Sequence, residues 1–430
     1  MNGFKVRGGA SLHGVARVGG SKNAALALLA GALCVEGEVV LHNFPAVSDV
    51  LLMVDLLRLM GVKAERNGDT LWMDVRGLNC SEPPENYVRK MRASFYLMGP
   101  LLARLGRAKM PVPGGCQIGT RPVDYHIKGL HQLGVEITQT QGAYEAVASQ
   151  LVGAEIYFDF PSAGATQHLM TAAVLAEGNT LIQHAAMEPE VLDLAYFLNR
   201  MGARIEGAGT NTITIQGVRK LQGGEYSLIS DRVQAGSYLL AGAITHGDVT
   251  VEGVHPEHLQ PLNLKMRECG VNVTEGNDWV RVQNPNRHNA TDITTMPFPG
   301  FPTDLQQPMC AFLTLANGAS VVREQVYDGR NKHVGELQRM GADIKATDGR
   351  TFIINGVDRL TAARVEAHDL RGGAAMIIAA LAAEGESLVS GAEYVDRGYQ
   401  GFEEALNNLG GSIERVALEA EDSAVVSSTP

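Results

Sequence analysis

The chain of 430 residues is poor in the patterns that mark metal-binding and disulfide-rich proteins. Its five cysteines are scattered, odd in number and free of any Cys-x-x-Cys pair: Cys34, Cys80, Cys116, Cys269 and Cys310. Neither a zinc site nor a disulfide framework is therefore indicated, and the cysteine usage fits a reducing cytoplasm. The twelve histidines are dispersed and form no His-x-x-x-His pair, so we expect no metal centre.

Long apolar runs, a leader sequence and an excess of positive charge are also missing. The longest apolar run, residues 24–35, is too short to span a bilayer and is interrupted by Gly31. The first four residues lack the basic start and apolar core of a signal peptide. A net charge of −11 argues against nucleic-acid binding. We expect a soluble cytoplasmic protein without a membrane or nucleic-acid partner, in which a local basic pocket binds any anionic ligand.

What the chain does contain is a sixfold repeat. The pattern Leu/Met-x-x-hydrophobic-Gly recurs at intervals of 68 to 73 residues and ends at Gly61, Gly134, Gly202, Gly270, Gly341 and Gly410. A second glycine precedes each of these by 23 to 28 residues. Repeats of about 70 residues are longer than solenoid units, and the chain is too long for one core. We therefore predict an α/β protein with two domains of three repeated units each.

Each repeat is predicted to have the same order of elements. A polar opening leads into an Ala/Leu-rich stretch, such as residues 24–35 or 372–383, which is typical of a helix buried on most sides. A β-rich run follows, then an amphipathic helix that ends at the signature glycine, and finally two strands.

The predicted domain boundaries do not follow chain order. Residues 4–18 form a strand pair without an opening helix, and the last repeat lacks clear closing strands. We therefore expect residues 1–20 to complete the last repeat and to belong to the second domain. Residues 21–229 would form the first domain, residues 230–418 the second, and the polar residues 419–430 a disordered tail.

The polar helix openings are candidate anion sites, because a helix N-terminus presents free N–H groups and a partial positive charge. Lys22, Arg92 and Arg371 would strengthen such sites. The alternative is that residues such as Ser162 and Thr303 only cap their helices. Capping explains Lys22 and Arg92 poorly, because the first turn of a helix favours acidic residues.

Three arginines occupy matching positions after the first strand of their repeats: Arg121, Arg330 and Arg397. They could converge on one anion. The alternative is three unrelated surface salt bridges.

Cys116 lies in an insertion that lengthens only the second repeat. Two prolines and three glycines in residues 112–122 predict an exposed loop, whereas Cys34, Cys269 and Cys310 lie on apolar stretches and are expected to be buried. An exposed thiol five residues before Arg121 is a candidate acid or nucleophile.

Five motifs together resemble one known family: Gly19-Gly20-Ser21-Lys22-Asn23-Ala24, Met91-Arg92-Ala93-Ser94, residues 114–124, Phe301-Pro302-Thr303-Asp304 and Asp396-Arg397-Gly398-Tyr399. They are similar to the UDP-N-acetylglucosamine enolpyruvyl transferases (1-carboxyvinyltransferases), over residues 4 to about 415. The cysteine loop separates that family from its shikimate-pathway cousin. The resemblance implies an inside-out α/β barrel of two domains, each of three repeated units, that closes over the ligands.

The resemblance also implies a reaction. Phosphoenolpyruvate is protonated at its methylene, the 3-hydroxyl of UDP-N-acetylglucosamine attacks the resulting cation, and the intermediate loses phosphate. No metal or organic cofactor takes part. The product would start peptidoglycan synthesis.

The implied catalytic residues are Lys22, Cys116, Asp304 and Arg397. Lys22, Arg121 and Arg397 would bind phosphoenolpyruvate, and Asn23 and Asp304 would hold the sugar hydroxyl, with Asp304 as the base. Cys116 would donate the proton, form a covalent phosphoenolpyruvate adduct and be alkylated by fosfomycin. The residues implied to bind the UDP-sugar or complete the closed site are Arg92, Arg121, Pro122, Val123, Asp124, Tyr125, Pro161, Ser162, Gly164, Asp231, Val326 through its backbone, Arg330 and Arg371. His126 would lie on the same wall.

Two departures from the family pattern leave alternatives open. Residues 328–332 read Asp-Gly-Arg-Asn-Lys where the family usually reads Glu-Asn-Arg-Phe, and Gln234 stands where the family typically has an acid. One alternative is enolpyruvyl transfer to another uridine nucleotide, for instance in antibiotic biosynthesis. Another is an inactive homologue that binds UDP-sugars, against which the intact Cys116 and Asp304 argue. The oligomeric state is not predicted.

Overall fold

The computed structural model describes residues 2–112 and 123–418, which divide into two compact units. Domain 1 comprises residues 20–112 and 123–229, and domain 2 comprises residues 2–19 and 230–418. The chain thus enters domain 1 after Gly19 and leaves it after Ile229. Across the described ranges, no helix is both long and apolar enough to cross a membrane.

The strands are short, and most show the alternating burial of a sheet with one covered face. In chain order they are β1 (Asn2–Arg7), β2 (His13–Arg17), β3 (Val35–His42), β4 (Lys63–Asn67), β5 (Thr70–Asp74), β6 (Arg107–Pro111), β7 (Glu136–Thr140), β8 (Ala143–Val147), β9 (Glu155–Tyr157), β10 (Asn179–Gln183), β11 (Arg204–Glu206), β12 (Thr212–Gln216), β13 (Leu221–Ser227), β14 (Asp248–Glu252), β15 (Asn272–Glu275), β16 (Trp279–Gln283), β17 (Ile293–Thr294), β18 (Ala319–Arg323), β19 (Asp343–Ala346), β20 (Thr351–Asn355), β21 (Arg364–Glu366), β22 (Glu386–Ser390) and β23 (Ser412–Ala417).

The helices alternate between buried and amphipathic segments. In chain order they are α1 (Lys22–Ala32), α2 (Ser48–Leu59), α3 (Glu85–Val88), α4 (Met98–Leu105), α5 (Asp124–Gln132), α6 (Ala163–Ala173), α7 (Pro189–Arg200), α8 (Arg232–Ile244), α9 (Gln260–Glu268), α10 (Gln306–Leu313), α11 (His333–Arg339), α12 (Leu370–Ala382), α13 (Ala392–Val395) and α14 (Phe402–Asn408). Short 3-10 turns span Val75–Gly77, Arg92–Leu97, Pro256–Leu259 and Thr303–Leu305.

The sheets repeat one plan. Domain 1 holds β13-β3-β5-β4, β6-β8-β7 and β9-β10-β12-β11, and domain 2 holds β2-β14-β16-β15, β17-β18-β20-β19 and β21-β22-β1-β23. In each four-stranded sheet the first two strands are parallel, and the next two pairings are antiparallel. Within the described residues, β6-β8-β7 has only the antiparallel pairings. The shared plan is the structural form of the sequence repeat.

The two N-terminal strands lie in different sheets. Strand β1 lies between β22 and β23 and so completes the last repeat, as expected. Strand β2 instead pairs parallel with β14, in the sheet of the fourth repeat, so the prediction that the pair stays together was wrong. The reason lies where the chain passes from one domain to the other. Strand β13 directly precedes α8 but pairs with β3 of domain 1. The parallel edge beside β14 is therefore open to β2.

The six signature glycines end their helices in the same way. Each has a left-handed backbone, with φ between 85° and 103°, which costs a residue with a Cβ more than it costs glycine. The N–H of the following residue donates to the carbonyl five positions earlier, as Val62 does to Leu57 at 3.1 Å and Ala203 to Leu198 at 2.9 Å. This is the hydrogen bond of a Schellman motif, which explains why glycine recurs at this position.

Each domain has its own hydrophobic core. In domain 2, helices α8, α10 and α12 are buried along nearly their whole length and pack against one another. In domain 1, α1 and α6 are similarly buried and in contact. Several predicted site residues lie at the N-termini of these enclosed helices: Lys22 in the first turn of α1, Asp231 as the N-cap of α8 and Arg371 in the first turn of α12.

Candidate active site

In domain 2 the carboxylate of Asp304 lies between two buried arginines, and we call these three residues the Asp304 cluster. Arg330 Nη2 is 2.9 Å from Asp304 Oδ1, and Arg371 Nη2 is 3.1 Å from Asp304 Oδ2. The side chains of Arg330 and Arg371 are 4% and 1% exposed, whereas that of Asp304 is 24% exposed. The carboxylate is therefore the part of the cluster that solvent or a ligand can reach.

The Asp304 cluster lies where three helix N-termini meet. Asp304 precedes α10, Arg371 is in the first turn of α12, and Gln307 of α10 donates to Asp369, the N-cap of α12, at 2.9 Å. Burial opposes the charge of Arg371, but Tyr399, Asp304 and the N-cap of α8, Asp231, together raise its pKa above the usual value for arginine. A buried guanidinium is costly unless it is paired in this way.

Asp231 and Asp369 both act as helix caps. One carboxylate oxygen of Asp231 accepts from the N–H groups of Val233 and Gln234, at 2.9 Å each. Asp369 does the same for the first turn of α12, at 3.0 Å. The capping alternative therefore describes the contacts of these residues, and it also holds for Ser21 and Ser162, whose hydroxyls accept from Ala24 and Ala165.

Arg397 follows α13 in a segment that is held on both sides. On one side Arg415 forms two hydrogen bonds of 2.8 Å with Asp396. On the other, the Tyr399 hydroxyl lies 2.8 Å from that of Ser237, on α8. The backbone around Arg397 is thereby tied to β23 and α8. Arg397 is in the same domain as the Asp304 cluster.

Gln234, one of the two departures from the family pattern, also helps to tie the segment around Arg397 to α8. Its amide nitrogen donates to the Tyr238 hydroxyl at 2.8 Å and to the carbonyl of Gln400 at 3.0 Å. An ionised carboxylate at this position could not donate either bond.

In domain 1, Lys22 opens helix α1, with the half-buried Asn23 next to it. The ammonium of Lys22 lies 3.1 Å from Asp49 Oδ2, on the neighbouring helix α2. The helix dipole disfavours a cation in the first turn, and Asp49 offsets that cost. Lys22 is 13% exposed, so a ligand could still reach this charge.

A buried histidine pair lies beside Arg92 in domain 1. The N–H of Gly99 donates to His168 Nε2 at 2.8 Å, and His168 Nδ1 is 2.9 Å from His126 Nδ1. Burial lowers the pKa of His168 to about 3 and that of His126 well below its usual value, to which His168 and Arg92 also contribute. Both rings are thus neutral near pH 7. Since His168 Nε2 is an acceptor, its proton lies on Nδ1, and the proton of His126 lies on Nε2.

The remaining predicted residues of domain 1 lie at the starts of α5 and α6. Val123 precedes α5, and Asp124 is its first residue. Next in the chain is Tyr125, whose pKa is raised by burial. Pro161 and the N-cap Ser162 precede α6, and Gly164 is its second residue. A Cβ on Gly164 would lie 3.0 Å from Tyr96 Oη, so the backbone approaches an aromatic side chain closely there.

Comparison with known proteins places the chain in a family. The family model described as EPSP synthase (3-phosphoshikimate 1-carboxyvinyltransferase) matches residues 6–406. UDP-N-acetylglucosamine 1-carboxyvinyltransferase 2 of Caldanaerobacter subterraneus subsp. tengcongensis is 48% identical over 417 residues, which cover 97% of this chain and 100% of the relative. UDP-N-acetylglucosamine 1-carboxyvinyltransferase 1 of Symbiobacterium thermophilum is 48% identical over 419 residues, covering 96% and 95%. The chain belongs to the enolpyruvyl transferase family.

Solved structures agree on the fold of this enolpyruvyl transferase. The enolpyruvyl transferase NikO from Streptomyces tendae aligns with a TM-score of 0.88 at 23% identity, over 97% of this chain and 99% of that one. EPSP synthase from Acinetobacter baumannii aligns with a TM-score of 0.71 at 20% identity, over 97% and 100%. The predicted α/β fold, an inside-out barrel of repeated units, is thereby confirmed.

Three residues predicted for the site of the enolpyruvyl transferase, Cys116, Arg121 and Pro122, lie outside the described residues. Of the three arginines expected to converge, Arg330 and Arg397 both lie in domain 2, at the positions given above. Within residues 2–112 and 123–418, no group of three histidine, cysteine or acidic side chains is placed to hold a metal ion.

Residues 328–332, the other departure from the family pattern, include Arg330, which in this enolpyruvyl transferase belongs to the Asp304 cluster. Asp328 forms an ion pair with Arg350, and the ring of Tyr327 lies 5.4 Å from the guanidinium carbon of Arg330. The ion pair between Arg330 and Asp304 is therefore present despite the changed neighbours.

Sequence reasoning missed one residue of the site, Glu324. Its side chain is fully buried, and it accepts a hydrogen bond from the N–H of Val326, whose backbone was predicted to bind the sugar. A lone Glu at the end of a strand carries no motif, so the signal lies only in its three-dimensional contacts.

Proposed function

We propose that this enolpyruvyl transferase moves the enolpyruvyl group of phosphoenolpyruvate to the 3-hydroxyl of UDP-N-acetylglucosamine and releases phosphate. The observation that carries the proposal is the 48% identity, over nearly the full length of both chains, to relatives that bear the name of this reaction. The Asp304 cluster supports it, because a partly exposed carboxylate beside buried cations can accept a hydroxyl proton where an anionic substrate binds.

The proposed reaction has two stages. First, Cys116 gives a proton to the methylene carbon of phosphoenolpyruvate, and the sugar 3-hydroxyl forms a bond to the neighbouring carbon while Asp304 takes the hydroxyl proton. The resulting tetrahedral intermediate then returns a proton from its new methyl group to the Cys116 thiolate, while the carbon–oxygen bond to phosphate breaks and the double bond is restored. The hydroxyl proton taken up by Asp304 leaves with the phosphate, so both side chains return to their starting states. The sum balances without an oxidant, a reductant or a cofactor.

The charged residues have separate proposed roles. Lys22, Arg121 and Arg397 bind phosphoenolpyruvate, whose charge of roughly −3 suits a cluster of cations. Asn23 holds the hydroxyl together with Asp304. The first turn of α1 supports the role of Lys22, because its cation lies at a helix N-terminus that also attracts anions.

The residues proposed to bind the UDP-sugar are Arg92, Arg121, Pro122, Val123, Asp124, Tyr125, Pro161, Ser162, Gly164, Asp231, Val326, Arg330 and Arg371. The neutral His126, with its proton on Nε2, would add a hydrogen-bond donor on the wall that carries Arg92.

The proposed cellular role is the first committed step of peptidoglycan synthesis, in the cytoplasm. Cys116 would form a thioether with phosphoenolpyruvate and be alkylated by fosfomycin, since an activated thiolate attacks electrophiles. A second candidate function is enolpyruvyl transfer to another uridine nucleotide. It is favoured by the changed residues 328–332, which lie next to Arg330 and the Asp304 cluster.

The test is phosphate release from phosphoenolpyruvate in the presence of UDP-N-acetylglucosamine, with UDP-glucose, UDP-N-acetylgalactosamine and UMP in parallel. We expect release that depends on UDP-N-acetylglucosamine and a product heavier by one enolpyruvyl group. Release with only a different uridine nucleotide would support the second candidate. No release, combined with binding of the UDP-sugar, would indicate an inactive homologue and overturn the proposal.

A further inference from the structure

Glu324 is a fully buried carboxylate immediately after strand β18. Four donors bind it. Oε1 accepts from the Thr295 hydroxyl at 2.7 Å and from the N–H groups of Val326 and Tyr327 at 2.8 and 3.1 Å, and Oε2 accepts from the Thr303 hydroxyl at 2.8 Å. An ionised carboxylate only accepts hydrogen bonds, so the four donors match its chemistry. These hydrogen bonds fix the positions of both carboxylate oxygens of Glu324.

The hydroxyl of Thr303 connects Glu324 to the Asp304 cluster. Arg330 Nη1 lies 2.7 Å from Thr303 Oγ1, and a guanidinium can only donate. The hydroxyl therefore accepts from Arg330 and points its proton at Glu324 Oε2. Arg330 in turn binds Asp304, the residue next to Thr303 in the chain. The contacts thus run from Glu324 through Thr303 and Arg330 to Asp304, and every direction of donation is defined.

The other oxygen of Glu324 holds the segment after β18. It accepts from two successive N–H groups, those of Val326 and Tyr327, which folds the backbone around the carboxylate. Thr295 is held as well, and its hydroxyl accepts from the N–H of Gln325 at 2.9 Å. One side chain therefore joins the Val326 backbone to the turn that carries Asp304.

We propose that Glu324 is a positioning residue that sets Asp304 and the Val326 backbone at a fixed spacing, one through each carboxylate oxygen. The inference rests on the proposed function, in which Asp304 accepts the proton of the sugar hydroxyl and the Val326 backbone holds the same sugar. Because one rigid group supports both, the acceptor is held in place while its hydroxyl faces the base. The oxygen facing Thr303 governs the chemical step, and the oxygen facing Val326 governs acceptor binding.

Two nearly isosteric variants separate this role from a general contribution to stability. Glu324→Gln keeps an acceptor for Val326 and Tyr327 but places a donor at Thr303, whose hydroxyl must turn away. Thr303→Val removes the same link from the other side. Since small misplacements of reacting groups are costly, we expect each variant to lower kcat about tenfold and to change the KM for UDP-N-acetylglucosamine less than about twofold. Thr303→Ser, which keeps the hydroxyl, should restore kcat.

The double variant decides whether the two residues act together. If Glu324 works through Thr303, Glu324→Gln combined with Thr303→Val should be no slower than either single variant, within about twofold. Effects on kcat that multiply, or a Thr303→Ser variant as slow as Thr303→Val, would overturn the inference. So would a Glu324→Gln variant with normal kcat and KM and only a lower thermal midpoint.

Controls keep the inference distinct from the proposed function. Glu384→Gln alters an exposed carboxylate paired with Arg359 and should leave kcat and KM unchanged. If the unaltered protein does not release phosphate with UDP-N-acetylglucosamine, the proposed function fails, whereas full activity of the paired variants defeats only the inference. If Glu324→Gln does not fold, the difference in kcat between Thr303→Val and Thr303→Ser still decides.

Discussion

Replacing Asp193 by Asn should make the protein more stable at neutral pH and less stable in acid. Asp193 is buried in domain 1, where it accepts from the Tyr226 hydroxyl at 2.6 Å and from the N–H of Ile229 at 3.4 Å. Burial, with a smaller contribution from Glu190, raises its pKa from 3.8 to about 6, although both hydrogen bonds lower it. Ile229 is the last residue before the chain leaves domain 1.

The magnitude follows from the linkage between protonation and folding. Between pH 3.8 and about 6 the folded protein binds more protons at Asp193 than the unfolded chain, so stability falls as the pH rises through that interval. The complete loss corresponds to roughly 3 kcal/mol. Asn avoids it, but a nitrogen at the position of Oδ2 loses the Ile229 contact, which costs about 1 kcal/mol. The expected gain is therefore roughly 2 kcal/mol above pH 7, whereas roughly 0.5 kcal/mol is lost near pH 4, where the parent has already lost part of this stabilisation.

Thermal unfolding at several pH values measures this directly. For a domain of this size, 2 kcal/mol shifts the midpoint by about 4–8 °C, so Asp193→Asn should lie above the parent at pH 7.5 and below it at pH 4. Tyr226→Phe should lower the midpoint more at pH 7.5 than at pH 4, because the carboxylate loses its closest donor. Asp159→Asn, which changes an exposed carboxylate, is the matched control. A midpoint difference between Asp193→Asn and the parent that is the same at every pH would refute the reasoning.

Three further predictions concern the site and the fold. Asp304→Asn keeps an acceptor for Arg330 but no base, so phosphate release should slow on the order of 100-fold, and normal rates would exclude it as the base. The thermal midpoint should fall as well, because the buried Arg330 and Arg371 lose the negative charge that pairs with them. Cys116→Ser should abolish the phosphoenolpyruvate adduct and fosfomycin labelling in mass spectra, whereas Cys80→Ser should retain both. Labelling of the Cys116→Ser protein would show that Cys116 is not the reactive thiol. Gly335→Ala, on the exposed face of α11 with nothing within 4 Å of the new Cβ, should stabilise domain 2 by about 0.5–1 kcal/mol in urea unfolding, and a loss would reveal a hidden contact.

The domain 2 site illustrates why a repeat concentrates polar residues. Each buried helix is too apolar along its length to hold charged groups, so they collect at the N-terminus, where N–H groups need acceptors. The first turns of α10 and α12 therefore bring Asp304 and Arg371 together although 67 residues separate them. The sequence placed both residues at helix openings, but the contact between them required the packing of the helices.

Much of the fold was determined by local signals that can be read in the sequence. The signature glycines mark helix ends because a left-handed backbone is strained for other residues. Ser21, Ser162, Asp231 and Asp369 mark helix starts because their side chains satisfy free N–H groups. These signals act within a few residues, so the sixfold repeat and the α/β class could be predicted from them.

The rest depended on contacts between segments far apart in the chain, and these were decided only in three dimensions. Strand β2 carries no mark that selects β14 over the last repeat, because any free parallel edge satisfies its hydrogen bonds. Glu324 gains its role only when Thr303 and Val326 are folded around it. The protonation of His126 depends on a donor at Gly99 that acts through His168, because a hydrogen bond is directional and its orientation is defined only once all partners are in place.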